Sequence, residues 1–359
     1  RLRRLLPLPK PRGGRVSGFP ACPVPGVPDV VVPAHGGGGR MTQRLMDQVI
    51  LPALGDSGPE GLHDAATFAA SGMIAVSTDS FVVTPWRFPG GDIGSLAVHG
   101  TVNDLAMAGA RALALTAGFV LEEGFPLQSL REVVVSMARA ARECGVRIVA
   151  GDTKVVERGH GDGVYVNTTG VGLVLEGSSI SPSSVQPGDV VLVSGDLGRH
   201  GTAVMTSREG LELDSYLSSD SASVSVPALA LLEAGLPVRC MRDPTRGGLA
   251  SVLNEIGVAS QVRIRIHEDR VPVRADVAGV CELLGLDPLY VACEGRFSVF
   301  VAPEAEEEAL RILRSYEVSA GACRIGEVEE GAPGVLLCTT LGVDRILDLL
   351  SGEQLPRIC

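Results

Sequence analysis

Cys359, the last residue of the sequence, poses the first chemical question. It closes the stretch Gly352-Glu353-Gln354-Leu355-Pro356-Arg357-Ile358-Cys359. Order is weakest at the end of a domain, whereas an inert free cysteine is normally buried. A thiol at the tip therefore points to reactivity as readily as to an incidental residue. Pro356 stiffens the approach, and Arg357 offers a cation that favours the thiolate. The carboxylate beside the sulfur works the other way and favours the thiol.

A second set of residues suits phosphate chemistry. Asp64, Asp79, Asp104 and Asp152 fall at turns, strand ends and a helix, where they could converge. Hard oxygen ligands of this kind suit Mg²⁺, which holds ATP phosphates through one or two carboxylates plus water. A lone Asp is more often a cap or turn residue; four of them, with a glycine-rich loop and an unusual lysine, favour a phosphate site. The loop is His35-Gly36-Gly37-Gly38-Gly39, whose backbone can approach a ligand closely. It is not a P-loop, because Lys-Ser/Thr does not follow. The chain has 29 arginines and two lysines, Lys10 and Lys154. A body that uses arginine almost everywhere keeps a lysine where a compact ammonium matters. Arg242-Asp243-Pro244-Thr245-Arg246-Gly247-Gly248 then enters a helical pattern, an anion site beside Arg246.

The elements that must position these groups alternate between strand and helix. A helix is expected from Thr42 to about Leu54, a strand over Met73–Thr78, and a helix from about Ser95 to Gly109 with Leu96, Val98, Val102 and Leu105 inward. Ala112–Leu121 reads as a strand and Leu127–Cys144 as an amphipathic helix. Arg147–Ala150 reads as a strand ending in Gly151-Asp152-Thr153-Lys154, and Tyr165–Leu175 continues the sheet. A Ser/Pro-rich break over residues 178–188 separates a second half. Strands are expected there at Val190–Ser194, Val262–Ile266, Leu289–Cys293, Phe297–Val301, Ala322–Val328 and Val335–Leu337. Helices fill the gaps at about 199–208, Leu249–Ile256, Ala275–Leu284 and Glu304–Tyr316. The expected division is a basic, Pro/Gly-rich disordered extension over 1–33, a first α/β domain over 34–181, a second over 188–350 and a mobile tail over 351–359.

Composition narrows the function classes. With 359 residues, 45% hydrophobic and 20% charged, the chain is globular and long enough for two cores. No apolar run reaches the length of a membrane span. Residues 1–40 carry a net charge of +6 and the remainder −17, so the body is a poor nucleic-acid binder. Eight cysteines without a C-x-x-C pair fit a reducing cytoplasm.

Six strings carry a resemblance: STDSFVV (77–83), PGGDIGSLAVHGTVNDLAMAGA (89–110), VAGDTKVV (149–156), MRDPTRGGLA (241–250), CELLGLDPLYV (281–291) and GEQLPRIC (352–359). Over about Pro33 to Cys359 the sequence resembles the HypE family of hydrogenase maturation factors. That family lies within the superfamily of aminoimidazole ribonucleotide (AIR) synthetase and selenophosphate synthetase. The resemblance implies a two-domain α/β fold of the AIR-synthetase type, with N-terminal sheets of two subunits closing a β-barrel in a homodimer. It implies ATP and Mg²⁺ as cofactors. It also implies a terminal thiol that receives a carbamoyl group from HypF, dehydrates it to S-cyanide, and passes cyanide to iron on the HypC–HypD scaffold. Phosphorylating the thiocarbamate oxygen turns the loss of oxide into the loss of phosphate, and deprotonating the nitrogen then gives the triple bond.

The same resemblance assigns roles by position. Cys359 carries the reacting group, Lys154 steadies phosphate charge, Glu294 takes the nitrogen proton, and His35 borders the reacting group. Gly36, Gly37, Gly38, Asp79, Asp92, Asn103, Asp152, Thr153, Asp243, Thr245, Arg246, Gly247 and Gly248 face the nucleotide. Asp64, Asp79, Asp104 and Asp152 hold the metal. The chain departs from the family at Cys293 and Arg296, which flank Glu294-Gly295 where Asn and Lys are usual. It departs again at Arg199, where Asp is usual, and at His63, where the superfamily pairs two Asp. Two rival readings are a selenophosphate-synthetase-like kinase or synthetase, which needs no terminal thiol, and a non-catalytic metallochaperone, which needs neither the Asp array nor Lys154.

Overall fold

The computed structural model describes residues 29–37, 39–54, 65–67, 69–210, 217–349 and 357–359. Much of the expected extension, Gly38, Asp64 with His63, and the segment 350–356 that carries Gly352 and Pro356 lie outside the described residues. Residues 29–33 were expected in the extension, yet Val30–Val32 pack against the first half. Val31 is fully buried, and its N–H donates to the Phe125 carbonyl at 2.7 Å.

The first half opens on helices α1 (Arg40–Leu45) and α2 (Leu51–Leu54), joined through a π-helical turn at Met46–Ile50. Then come β1 (Ile74–Phe81), a small hairpin of β2 (Arg87–Phe88) and β3 (Gly91–Asp92), and α3 (Ile93–Met107). β4 (Ala110–Glu122), α4 (Leu127–Glu143), β5 (Arg147–Val156) and β6 (Val164–Val174) complete it. The strands form one sheet ordered β1-β6-β4-β5, parallel only between β4 and β5. α3 and α4 cover one face through Leu96, Val102, Leu130, Val133 and Met137, all 2% exposed or less. The other face leaves Ile74, Val76, Leu113 and Val120 in solvent. Within one chain this sheet is open, not a closed barrel.

The second half runs β7 (Val190–Val193), α5 (Arg199–Glu209), α6 (Ser225–Glu233), β8 (Val238–Arg242) and α7 (Gly248–Ser260). It continues through β9 (Arg263–His267), α8 (Ala275–Leu284), β10 (Ser298–Val301), α9 (Glu306–Arg314), β11 (Cys323–Glu329), β12 (Gly334–Cys338) and β13 (Asp344–Ile346). Its sheet is ordered β13-β12-β9-β11-β7-β10-β8 and parallel only between β9 and β12. β7 and β10 are buried along their whole length, which their uninterrupted apolar runs require.

Two expectations fail here, each for a local reason. The strand at Arg147 does not stop at Ala150 but runs on to Val156 beside β4, so Asp152, Thr153 and Lys154 are strand residues. Leu289–Cys293 is no strand; Asp287 caps a short 3₁₀ turn at Pro288–Tyr290 by accepting from Leu289 N–H. The halves join through α3, which packs on α6, and through Val204, Ala292 and Ile358, which enter the core of the first half.

Candidate active site

Four acidic side chains meet where the halves join. Asp79 comes from β1, Asp104 from the last turn of α3, Asp243 from just after β8, and Glu294 from the turn before β10. Asp79, Asp243 and Glu294 each feel the charge of others in the set. Burial raises Asp79, although Ser80 N–H opposes the rise and Asp104 adds to it. Burial likewise raises Asp104, against a 2.6 Å hydrogen bond from Ser77 Oγ. Asp243 is pushed up to about 7 by burial and then by the charge of Asp104. Glu294 is held far above the usual carboxylate range by burial, then by Asp243 and Asp79. Its Oε1 is buried without a hydrogen-bond partner. Carboxylates crowded together in this way suit a cation.

The positive groups at hand are Arg242 and Arg246. Arg246 stands 4.0 Å from Asp79 Oδ1 and is largely exposed. It precedes Gly247 and Gly248, both at positive φ, which lead into the N-terminus of α7. Gly248 is also sterically required, since a Cβ there would stand 2.6 Å from the Leu289 carbonyl oxygen. A cavity of about 370 Å³ opens beside the cluster, lined by Asp104, Met107, Ile180, Arg242, Asp243 and Thr245 among others. That is the size of a small-ligand site.

The end of the chain lies in the same place. Val82 N–H donates to a terminal oxygen of Cys359 at 3.1 Å, and Thr84 N–H to the Arg357 carbonyl at 3.3 Å. The tail thus lies along the segment that follows β1. Ile358 is 3% exposed and packed in the core. The Cys359 thiol is pushed up to about 12 by burial, then by Glu294 and Asp79, with Arg246 opposing. This corrects the expectation for Arg357. Its guanidinium reaches Asp162 at 2.6 Å and Thr84 Oγ1 at 2.9 Å and lies 6.0 Å from the Tyr165 ring centroid. Arg357 anchors the tail, while burial and carboxylates keep the sulfur protonated.

Several residues expected at the nucleotide are engaged by the protein itself. Asp92 is the N-cap of α3, accepting from Gly94 and Ser95 N–H. The Asn103 amide donates to Ala222 O at 3.0 Å and accepts from Val224 N–H at 2.8 Å, tying α3 to the loop after Leu217. Asp220 on that loop accepts from Gly295 N–H at 3.2 Å. A Cβ on Gly295 would stand 1.8 Å from the Asp220 carbonyl oxygen, so only glycine fits beside Glu294. The departures Arg199 and Arg296 converge on one residue. Both pair with Asp196 at 2.7 Å, and Arg296 also donates to three backbone carbonyls, fixing the turn behind Glu294. Cys293 Sγ accepts from Gly198 N–H and is fully buried.

A second group forms elsewhere on the first half. Lys154 Nζ lies 2.6 Å from both Asp152 oxygens, and Thr153 N–H donates to the same carboxylate. Lys154 and Asp152 are exposed. Gly36 packs on this strand so closely that a Cβ would stand 2.8 Å from Val155 N. His35 beside it is buried and accepts from Val32 N–H through Nδ1; Gly37 is exposed. Of the expected metal ligands, Asp79 and Asp104 are neighbours and Asp152 belongs to the other group, while Asp64 lies outside the described residues. Among the described residues no three His, Cys, Asp or Glu are spaced to hold a metal ion.

Sequence reasoning missed Asp220, His200 and Arg208. His200 and Arg208 bind the tail, through Ile358 O at 2.9 Å and Arg357 O at 2.7 Å. Nothing in the sequence around Arg199-His200 or Arg208 says that the tail is bound there.

Comparison with known proteins accords with this architecture. The family model for the N-terminal domain of AIR synthase related proteins matches residues 62–174, and that for their C-terminal domain matches 186–338. The carbamoyl dehydratase HypE of Cupriavidus necator is 49% identical over 328 residues, covering 90% of this chain and 93% of that protein. The protein of the same name from Escherichia coli is 44% identical, covering 91% and 98%. The crystal structure of a hydrogenase maturation protein HypE in complex with ATP superposes with a TM-score of 0.88 at 45% identity, over 91% of this chain and 99% of that one. HypE in a HypE–HypF complex superposes with a TM-score of 0.75 at 48% identity, over 77% and 90%.

Proposed function

We propose that this chain, which belongs to the HypE family of carbamoyl dehydratases within the AIR synthase related proteins, uses ATP to remove water from a carbamoyl group carried on Cys359, leaving a cyano group on sulfur. The product supplies the cyanide ligand for the iron centre of [NiFe]-hydrogenase. The observation that carries this reading is the placement of Cys359 within the field of Glu294, Asp79 and Arg246 at the junction of the two halves.

Each residue has a role in that proposal. Glu294 takes the proton from the carbamoyl nitrogen; burial among carboxylates makes it a far stronger base than an ordinary glutamate once ionised. ATP, when bound, supplies the phosphoryl group that makes the oxygen a leaving group. The α7 N-terminus with Arg246, Gly247 and Gly248 suits its phosphates. Asp79 and Asp104 suit Mg²⁺, which takes one or two carboxylates from a protein. Lys154, Asp152, Gly36 and His35 form the second half of the site, brought up by the other subunit of a homodimer closed over Ile74, Val76, Leu113 and Val120. HypF loads the thiol, and a HypC–HypD iron scaffold receives the cyanide. A cytoplasmic location follows from the free thiols.

Intact-protein mass spectrometry after incubation with HypF and carbamoyl phosphate tests the reading. Cys359 should gain one carbamoyl group and lose one water only when ATP is added. Phosphorylation of a free small substrate with Cys359 unmodified would favour the kinase alternative instead.

A further inference from the structure

The tail is held by a hydrogen-bond chain that continues past it, and the direction of each bond can be assigned. The Ile358 carbonyl can only accept, so His200 Nε2 carries the proton in their 2.9 Å contact. His200 is completely buried, and burial keeps it neutral. Its Nδ1 is then an acceptor, and the 2.8 Å contact to Ser219 Oγ is a bond donated by the hydroxyl. Ser219 Oγ in turn accepts from Ser221 N–H at 2.9 Å, while Ser219 N–H donates to the Pro89 carbonyl at 2.8 Å. Asp220, between these two serines, caps Gly295 N–H next to Glu294. One ring therefore touches both the residue before the reacting cysteine and the loop that braces the glutamate. The Phe88 ring holds it edge-on at 5.2 Å.

We propose that His200 is a positioning residue that senses the docked tail: it holds Ile358 in place and, only while it does so, keeps the loop Ser219–Ser221 in the arrangement that braces Glu294. The logic is one of hydrogen-bond supply. With the tail away, Nε2–H loses the Ile358 carbonyl as its acceptor, and the ring is released to move its proton to Nδ1 or to turn. Either change breaks the donation from Ser219 Oγ–H, because Nδ1 no longer accepts. The bracing of Glu294 is thus completed by the thiol-bearing segment itself, which keeps the base from being set in an empty site.

The test reads Cys359 access and ring state as well as turnover. In the full chain, iodoacetamide labelling of Cys359, read on its peptide by mass spectrometry, should rise roughly five- to tenfold in His200→Asn, the worth of one buried hydrogen bond. His200→Gln, whose amide reaches the Nε2 position, should label near the wild-type rate. Ser219→Ala should leave labelling within about twofold of wild type but lower the rate of dehydration of carbamoylated protein more than its apparent affinity for ATP. Nitrogen NMR should show the His200 ring protonated at Nε2 in the intact chain and altered when Arg357–Cys359 are deleted, an arm that needs no substitution in the core. Equal labelling of the Asn and Gln variants, or a ring signal indifferent to the deletion, would overturn the proposal. The turnover arm rests on the function proposed above; the labelling and NMR arms do not, so the two readings fail separately.

Discussion

Asp243→Asn should make the protein more stable, and by an amount that grows with pH. Asp243 is 8% exposed and its folded pKa is pushed up to about 7 from an unfolded 3.8, by burial and by the charges of Asp104 and Asp79. A carboxyl whose folded pKa is raised binds its proton more tightly when folded. Its favourable contribution is present below 3.8 and is lost as pH rises towards about 7. A window of roughly three pH units at about 1.4 kcal/mol per unit sets a ceiling near 4 kcal/mol. Because the repulsion is shared among neighbouring acids, about 2 kcal/mol is expected at pH 8 and under about 0.5 kcal/mol at pH 4. Urea denaturation of both proteins across that range measures it, followed by circular dichroism and by Trp86, the one tryptophan. The histidine contribution is common to both chains and cancels in the difference. A gain independent of pH, or a loss at pH 8, would refute the view that the carboxylates at this junction repel one another.

On the acid side, His99→Gln should flatten the fall in stability below neutrality. His99 is held at about 4 by burial and then by Arg139, so the unfolded chain takes a proton from pH 6.5 downward while the folded chain does not, and stability drops by at most about 1.4 kcal/mol per unit until pH 4. Acid denaturation midpoints compare the two; an unchanged acid limb would place His99 in a wetter site. Lys154→Arg should change stability by less than about 0.5 kcal/mol, since the side chain is exposed. It should cost at least about tenfold in dehydration rate, because a planar guanidinium does not replace a compact ammonium at phosphate; wild-type turnover would show that the lysine is incidental. A peptide appended after Cys359 should permit folding and ATP binding yet slow dehydration, because the terminal oxygen is bonded to Val82 N–H inside the junction. Equal conversion of S-carbamoyl to S-cyanide with and without the appended peptide would refute that.

The sequence was most legible where one residue's chemistry spoke for itself. Apolar periodicity gives α4 to within a residue, because an amphipathic face forces one register on a helix. Asp79, Asp104 and Cys359 stand out for their chemistry and Asp243 and Glu294 through the resemblance; the charges of Asp243, Asp79 and Asp104 act on Glu294, and those of Glu294 and Asp79 on Cys359. What stayed hidden depends on partners distant in the chain. Asn103 looks like a ligand residue until Ala222 and Val224 use both ends of its amide. Arg296 looks like a departure beside Glu294 until Asp196, shared with Arg199, shows what it holds. The strand that carries Lys154 runs on past Ala150 through Gly151, a residue that weakens a strand interior. Gly151 is kept there since a Cβ would stand 2.5 Å from the Ala117 carbonyl oxygen on β4.

The junction is well matched to one form of Cys359 and poorly matched to another. With its pKa near 12, the docked thiol offers almost no thiolate at neutral pH, and thiolate is the form that attacks. The carboxylates that suppress it, Glu294 and Asp79, are those that the proposed dehydration needs. Loading and dehydration therefore cannot both be served by one environment, because burial holds the docked thiol protonated and the acids that add to that effect are the ones the dehydration needs. Once sulfur carries a carbamoyl group it has no proton to lose, and the repulsion that penalised the thiolate vanishes. Docking is then favoured for the loaded thiol over the thiolate, so a partner that loads Cys359 must do so with the tail outside the junction. His200 and Arg208, which hold the tail by its backbone carbonyls, leave that discrimination to the sulfur alone.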